Sequence, residues 1–256
     1  MIFRKMGFHI GSDLNKALDN LWFSFLFRHP QILRYELPDV SALWRIFQNA
    51  TCHHELTDAQ YVILNNLTRN RDAWSTSWLK NRVDNIIASS KIRETGPRRI
   101  VWKEPNTHII LDRLYEILPD LKYIHVVRNG LDMAFSNNQH QMRNWGKELF
   151  KLDDIDKPEV SLKFWCLAQK RVIRITRKRP EQFLMVKYED LCFSTRSTVQ
   201  NIFSFIDHQF DNDDDFHDYK FIKPSQGIGR FRGFPGYPFS KEDVEYVRSL
   251  GFPVDF

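Results

Sequence analysis

At 256 residues the chain can bury a sizeable core, and a single α/β domain spanning 1–256 is the first expectation. Its 37 Lys and Arg against 32 Asp and Glu make a modest positive balance, which suits anionic ligands without demanding nucleic acid. Three cysteines, Cys52, Cys166 and Cys192, have no Cys-x-x-Cys spacing, which argues against a disulfide framework or a zinc site; with no apolar run long enough for a membrane span or secretory signal, a reducing, cytoplasmic setting is the default.

The first hundred residues read as helical. Ser12 or Asp13 is expected to cap a helix whose apolar face is Leu14, Ala17, Leu18, Leu21, Trp22, Phe25 and Leu26, stopped by Pro30. Asp39 or Ser41 opens a second helix and Thr57-Asp58 a third. A fourth runs from about 74 to 92, and Gly96-Pro97 ends the block. The aromatic residues here, Trp22, Phe25, Trp44, Phe47, Trp74 and Trp78, either fill the core or stack on a sugar. A strand at 100–103, a helix from Asn106-Thr107 to Pro119 and a strand at 123–127 follow in the rhythm of a right-handed parallel crossover.

The longest helix is expected from 158 or 159 to about 179. Its basic set, Lys170, Arg171, Arg174, Arg177, Lys178 and Arg179, complements the helix dipole, and without aromatic interleaving it does not point to nucleic acid. A strand at 183–188 and a helix at 194–206 come next. The acidic run Asp211 to Asp215 lacks the Gly and terminal Glu of a calcium loop. Ser240 and Asp243 have the spacing of a capping box that opens a final helix.

The most informative stretch is 123–136, YIHVVRNGLDMAFS. Its β-branched residues without clean alternation suggest a strand buried on both faces. Asn129-Gly130 ends the strand, and 131–136 read as a helix start. Arg128 then stands at the carboxyl end of a strand, where open α/β sheets bind ligands, and Ser136 a turn or two into the helix. An Arg fork, a hydroxyl and free helix N–H groups make a phosphate site. The alternative is a loop salt bridge between Arg128 and Asp132.

Arg128, Asp132 and Ser136 behind a Val-Val strand resemble the 3′-phosphate-binding segment of the PAPS-dependent sulfotransferase family. Three other segments resemble the same family in the same order. Trp102-Lys103-Glu104-Pro105 is similar to its K-x-P strand end, 185–191 (MVKYEDL) to its Y-E-D-L strand and turn, and 222–232 (IKPSQGIGRFR) to its C-terminal basic, Gly-containing phosphate loop. One departure stands against these matches. The family opens with a strand and an R/K-S-G-T loop that wraps the 5′-phosphosulfate, and no S-G-T run occurs in this sequence. Residues 2–11 look like the tail of the helix after that loop, so the chain is expected to begin about 15–25 residues late and to be inactive as it stands.

The resemblance implies an α/β fold of the P-loop-like sulfotransferase type, a parallel sheet flanked by helices, with a helical acceptor or lid region at 12–95 and a nucleotide-binding core at 98–235. It implies 3′-phosphoadenosine 5′-phosphosulfate (PAPS) as co-substrate, PAP as product, a hydroxyl or amine acceptor such as a carbohydrate, and no metal. Arg128 and Ser136 would hold the 3′-phosphate, Lys103 would stabilise the leaving group, and Tyr188 would lie by the adenine. Lys223, Ser225, Arg230 and Arg232 would belong to the loop closing over the 3′-phosphate, with Arg230 foremost because Gly227 and Gly229 free that loop to approach a ligand. Glu189-Asp190 would cap the next turn. The general base is sought among His9, Asp13, Asp19 and Glu36, with Asp19 chosen and His53-His54 and His125 as further options. A non-catalytic PAP- or glycan-binding relative and a basic polyanion- or nucleic-acid-binding protein remain alternatives.

Overall fold

Polar side chains, rather than apolar periodicity, decide where the first helices begin. The computed structural model describes residues 2–69, 71, 74–93, 96, 99–154, 156–208, 219 and 221–255. Its contacts divide the chain into two units, Met1–Ile117 and Leu118–Phe256.

In the first unit a short helix α1 (Ile2–Lys5) is followed by turns. Asn15 Oδ1 accepts the N–H groups of Ala17 and Asp19 at 2.8 and 2.9 Å, and Leu18 takes a φ of 62°. These local bonds give the backbone an alternative to the helix expected from Ser12 or Asp13. The helix starts instead after Asn20, whose side chain accepts the Phe23 N–H at 3.0 Å, and α2 spans Leu21–Phe27. Helix α3 (Leu37–Cys52), by contrast, starts earlier than Asp39, because Asp39 Oδ2 accepts the Glu36 N–H at 3.0 Å and Pro38 suits a first turn. Helices α4 (Asp58–Leu67) and α5 (Thr76–Ser90) are capped by Thr57 and Ser75, and a 3₁₀ turn (Thr107–Ile110) runs into α6 (Leu111–Ile117).

The aromatic residues of this unit serve mainly as core. Trp102 lies 5.6 Å from Phe23 and 5.2 Å from Trp44, ring centroid to centroid, and Trp22, Phe25 and Phe47 are buried. Trp74 and Trp78 stack at 3.9 Å, with Arg28 over the first ring and Arg82 over the second. The strand expected at 100–103 reduces to one parallel bridge between His9 and Ile100, closed by His9 N–H to Arg99 O (2.8 Å) and Val101 N–H to His9 O (3.0 Å).

In the second unit β1 (Tyr123–Val127) and β2 (Phe183–Lys187) pair in parallel, Tyr123 opposite Phe183 and Val127 opposite Lys187. Among the described residues the sheet has these two strands. Between them run α7 (Gly130–Ala134), α8 (His140–Phe150) and α9 (Pro158–Thr176). After β2 come α10 (Tyr188–Phe193), α11 (Thr195–Phe205) and α12 (Lys241–Ser249). Helix α8, anchored by buried Met142 and Trp145, was not foreseen from the sequence. The expectation of burial on both faces of β1 is corrected. Side chains alternate along a strand, and Val127 packs into the core while His125 bonds Gln169 of α9 at 2.6 Å; Val126, on the opposite face, is 54% exposed. His125 also meets the Tyr123 hydroxyl at 3.0 Å, and burial lowers its pKa, as suits a packed residue.

The core of this unit gathers Val127, Leu131, Leu162, Trp165, Cys166, Phe231, Val247, Phe252 and Val254. Helices α7 and α9 approach so closely that a Cβ at Gly130 would fall 2.7 Å from the Trp165 ring. Ser240 precedes α12 but its side chain makes no capping bond; Asp243 turns inward instead, where Lys163 Nζ reaches it at 3.4 Å. Cys52, Cys166 and Cys192 are free thiols. Pro97 and the acidic run 211–215 lie outside the described residues.

Asn20→Ala should lower the unfolding free energy by about 1–2 kcal/mol, read from urea denaturation, because α2 loses its cap. An unchanged midpoint would mean that the Asn20 bond does not hold the start of α2.

Candidate functional site

In the second unit the site is built where β1 runs out. Asn129 Oδ1 accepts the Leu131 N–H at 2.9 Å and its Nδ2 donates to Pro253 O at 2.7 Å, so the chain turns sharply into α7. Asp132, 2% exposed, follows within the first turn. Its carboxylate accepts the Gly229 N–H at 2.8 Å and the Phe231 N–H at 3.1 Å. It therefore anchors the C-terminal loop rather than forming the loop salt bridge with Arg128 that the sequence left open. Gly229 takes a φ of 76°, which L side chains rarely adopt, and a 3₁₀ turn (Arg230–Gly233) begins after it.

This anchoring brings several sequence-predicted residues together. Arg128 Nη2 donates to Ser225 Oγ at 3.2 Å, and the guanidinium lies 4.9 Å from the Tyr188 ring centroid. The Tyr188 hydroxyl donates to Lys223 O at 3.3 Å, so Lys223 joins through its backbone carbonyl. Arg230 Nη1 donates to Phe135 O at 3.0 Å. A Cβ at Gly227 would stand 2.8 Å from Arg230 Nη2 and 3.0 Å from Arg128 Nη2, so both guanidinium groups converge over this glycine. Arg128 Nε is buried and has no hydrogen-bond partner among the described residues. Two cations held together with an unused donor make a cradle for an anion with several acceptor oxygens.

Ser136 sits differently from expectation. Helix α7 ends at Ala134, because Gln139 Nε2 bonds the carbonyls of Met133 (2.9 Å) and Ser136 (2.8 Å) and closes the turn. Ser136 therefore lies just past the helix, next to the Phe135 carbonyl that Arg230 holds, and its Oγ accepts the Asn138 N–H at 3.2 Å. Arg232 leans over the Phe231 ring. Sequence reasoning missed two features. Glu189 Oε1 accepts the Asn129 N–H at 3.0 Å and so holds the turn after β1, beyond any local cap. An aromatic group, with Phe135 stacked on Phe234 at 4.0 Å and Tyr237 and Phe239 beside them, flanks Arg230; the aromatic-rich run 234–239 was the available signal.

In the first unit the two residues chosen as catalytic stand in contact. Lys103 Nζ lies 2.6 Å from Asp19 Oδ1 and donates to Ala17 O at 2.8 Å. The Lys103 side chain is 58% exposed against 18% for Asp19. The Asn20 N–H donates to Lys103 O at 2.7 Å, tying the lysine to the start of α2. The next residue, Glu104, is buried and accepts from Asn106 N (2.6 Å), Asn106 Nδ2 (2.7 Å) and Ser24 Oγ (3.3 Å); burial pushes its pKa up against these bonds. Of the other candidate bases, Asp13 pairs with Arg82 at 3.0 Å, Glu36 precedes α3, and burial with the neighbouring His53 lowers the pKa of His9. Among the described residues no group of three or more His, Cys, Asp or Glu is placed to hold a metal, and no helix is long and apolar enough to cross a membrane.

Residues 17–212 match the family model described as the sulfotransferase family. No curated protein matches the sequence significantly. Among solved structures, the sulfotransferase domain from the Synechococcus PCC 7002 olefin synthase has a TM-score of 0.50 and 17% identity over 96% of this chain and 95% of that one. The sulfotransferase domain from the curacin biosynthetic pathway has a TM-score of 0.47 and 15% identity over 75% and 78%. The first likeness shows the fold, a helix-flanked parallel α/β arrangement, as the sequence led us to expect.

Asp132→Ala should strand two loop N–H groups, costing about 1–3 kcal/mol for each, and speed amide exchange at Gly229 and Phe231; unchanged exchange there would contradict the anchoring role. For Glu104, a raised folded pKa means that its contribution to stability is full below the ordinary value of 4.5 and is lost as pH rises through the raised value. Denaturation midpoints followed from acid to neutral pH should therefore fall more steeply for the wild type than for Glu104→Gln, and parallel profiles would contradict this.

Proposed function

We propose that this chain, which belongs to the sulfotransferase family, binds PAPS or its product PAP through the Arg128 cluster and serves sulfuryl transfer to a hydroxyl or amine acceptor. The observation that supports this reading best is the convergence of Arg128 and Arg230 over Gly227, with Arg128 Nε buried and without a hydrogen-bond partner among the described residues. A phosphate monoester offers three acceptor oxygens, enough for two guanidinium forks and a hydroxyl. The residues present fit the 3′-phosphate of the donor. Arg128, Arg230 and Ser225 would bind it directly, with Ser136 and Lys223 at its margins and Tyr188 supporting the Arg128 guanidinium from below.

When bound, the donor supplies an activated sulfuryl group on a phosphate leaving group. The chain's own part in transfer is charge and proton handling. Lys103 offers an exposed cation for developing negative charge. Lys103 holds Asp19 in an ion pair; when the ammonium turns to another anion, Asp19 is freed to accept the acceptor's proton. The helical region 12–95 would carry the acceptor side and 98–235 the nucleotide.

Isothermal titration with PAP and 5′-AMP tests the reading. PAP should bind at least about tenfold more tightly, the scale of one lost charge-assisted contact, and Arg128→Ala should abolish that difference while leaving AMP affinity unchanged. Equal binding of the two nucleotides, or a preference that survives Arg128→Ala, would overturn it. If generic polyanions compete equally well with steep salt dependence, the basic polyanion-binding alternative takes its place.

A further inference from the structure

We infer that Glu189 is a specificity-determining residue that accepts a hydrogen bond from the ribose 2′-hydroxyl beside the 3′-phosphate, so that the site separates a 3′-phosphoribonucleotide from its 2′-deoxy counterpart. The inference rests on the nucleotide reading above. It starts from two adjacent residues at the end of each strand. Arg128 and Asn129 follow β1, Tyr188 and Glu189 follow β2, and the two pairs face each other: the Arg128 guanidinium lies over the Tyr188 ring, and the Asn129 N–H donates to Glu189 Oε1. Arg128 and Glu189 are thereby neighbours of opposite charge, yet they form no ion pair. Arg128 Nε and Glu189 Oε2 are each buried without a hydrogen-bond partner among the described residues.

A buried carboxylate oxygen left without a donor is costly, and so is a guanidinium N–H left without an acceptor. One ligand satisfies both when it presents an acceptor, best an anionic one, next to a donor such as a hydroxyl. A 3′-phosphate on a ribose does so, because the 2′-hydroxyl is vicinal to it. The 2′-hydroxyl donates to Glu189 Oε2 while the phosphate takes the Arg128 N–H. The same carboxylate disfavours a second phosphate at the 2′-position through like-charge repulsion. A site built around such an acceptor rejects the analogue lacking the hydroxyl, because its own buried polar atom is then left unpaired.

The test compares PAP with 2′-deoxy-PAP by isothermal titration on the full chain, as wild type and as Glu189→Gln. In the variant one amide oxygen can still accept the Asn129 N–H, while the other acceptor becomes a donor. The wild type should bind PAP at least about tenfold more tightly than the deoxy compound, and in Glu189→Gln the ratio should shrink to within about threefold. A residue that merely holds the Asn129 turn would weaken both ligands equally and leave the ratio unmoved. Tight PAP binding with no preference over the deoxy compound in the wild type overturns the role of Glu189 and leaves the nucleotide reading standing. A ratio unchanged in Glu189→Gln does the same. Binding of neither compound overturns the nucleotide reading, and this inference with it.

Discussion

The carboxylate of Asp132 fixes the geometry on which the site depends. Its two oxygens accept N–H groups from Gly229 and Phe231, residues 97 and 99 positions further along the chain. Closing a loop of that length has an entropic cost that grows slowly with length, so a few strong, buried bonds can hold it. Both oxygens accept backbone donors, and Asp132 makes no direct pair with Arg128. The loop it holds carries Ser225, Gly227 and Arg230 to the end of β1, and the missing side chain at Gly227 leaves room for two guanidinium groups to meet. Electrostatics alone would drive them apart. The fold keeps them together and leaves an anion as the natural occupant.

Apolar packing supplies the rigidity this arrangement needs. Phe231, one of the two residues whose N–H groups Asp132 accepts, is fully buried in the core with Val127, Leu131, Trp165 and Val247. Close contact of Gly130 with Trp165 seats α7 against α9, so Arg128 and Asp132 have well-defined starting points. A comparable logic operates in the first unit on a smaller scale. Asn20 caps α2 and also donates its N–H to Lys103 O, while buried Glu104 ties the following turn to Ser24 and Asn106. The exposed Lys103 ammonium thus rides on a backbone whose position is set by buried polar groups.

Much of this was legible in the sequence, and the failures share a cause. Both strands, the long helix α9 and the cap at Thr57 follow from β-branched runs, apolar periodicity and capping residues, all of them local signals. The resemblance on Arg128, Tyr188, Ser225 and Arg230 named residues that the structure brings into one cluster, and Lys103 and Asp19 likewise meet. The false starts arose where one polar side chain outcompeted a periodic pattern: Asn15 over the helix expected from Ser12, Gln139 over the extension of α7 to Ser136, and Asp243 turned inward in place of a capping box. The strand at 100–103 shrank to a single bridge because strands need partners, which a local pattern cannot supply. The Asp132 and Glu189 bonds were invisible for the same reason. Each joins a side chain to a backbone N–H tens of residues away, and no local spacing encodes such a partner.

The central claim is that Arg128 Nε is a donor awaiting a 3′-phosphate, and it can be watched directly. Protein labelled with ¹⁵N at arginine, with the Arg128 Nε–H resonance assigned by its loss in Arg128→Lys, would be titrated with PAP and separately with 5′-AMP. The account requires that resonance to move and its exchange with water to slow on adding PAP but not AMP. A resonance that ignores PAP, or that responds equally to AMP, would contradict it.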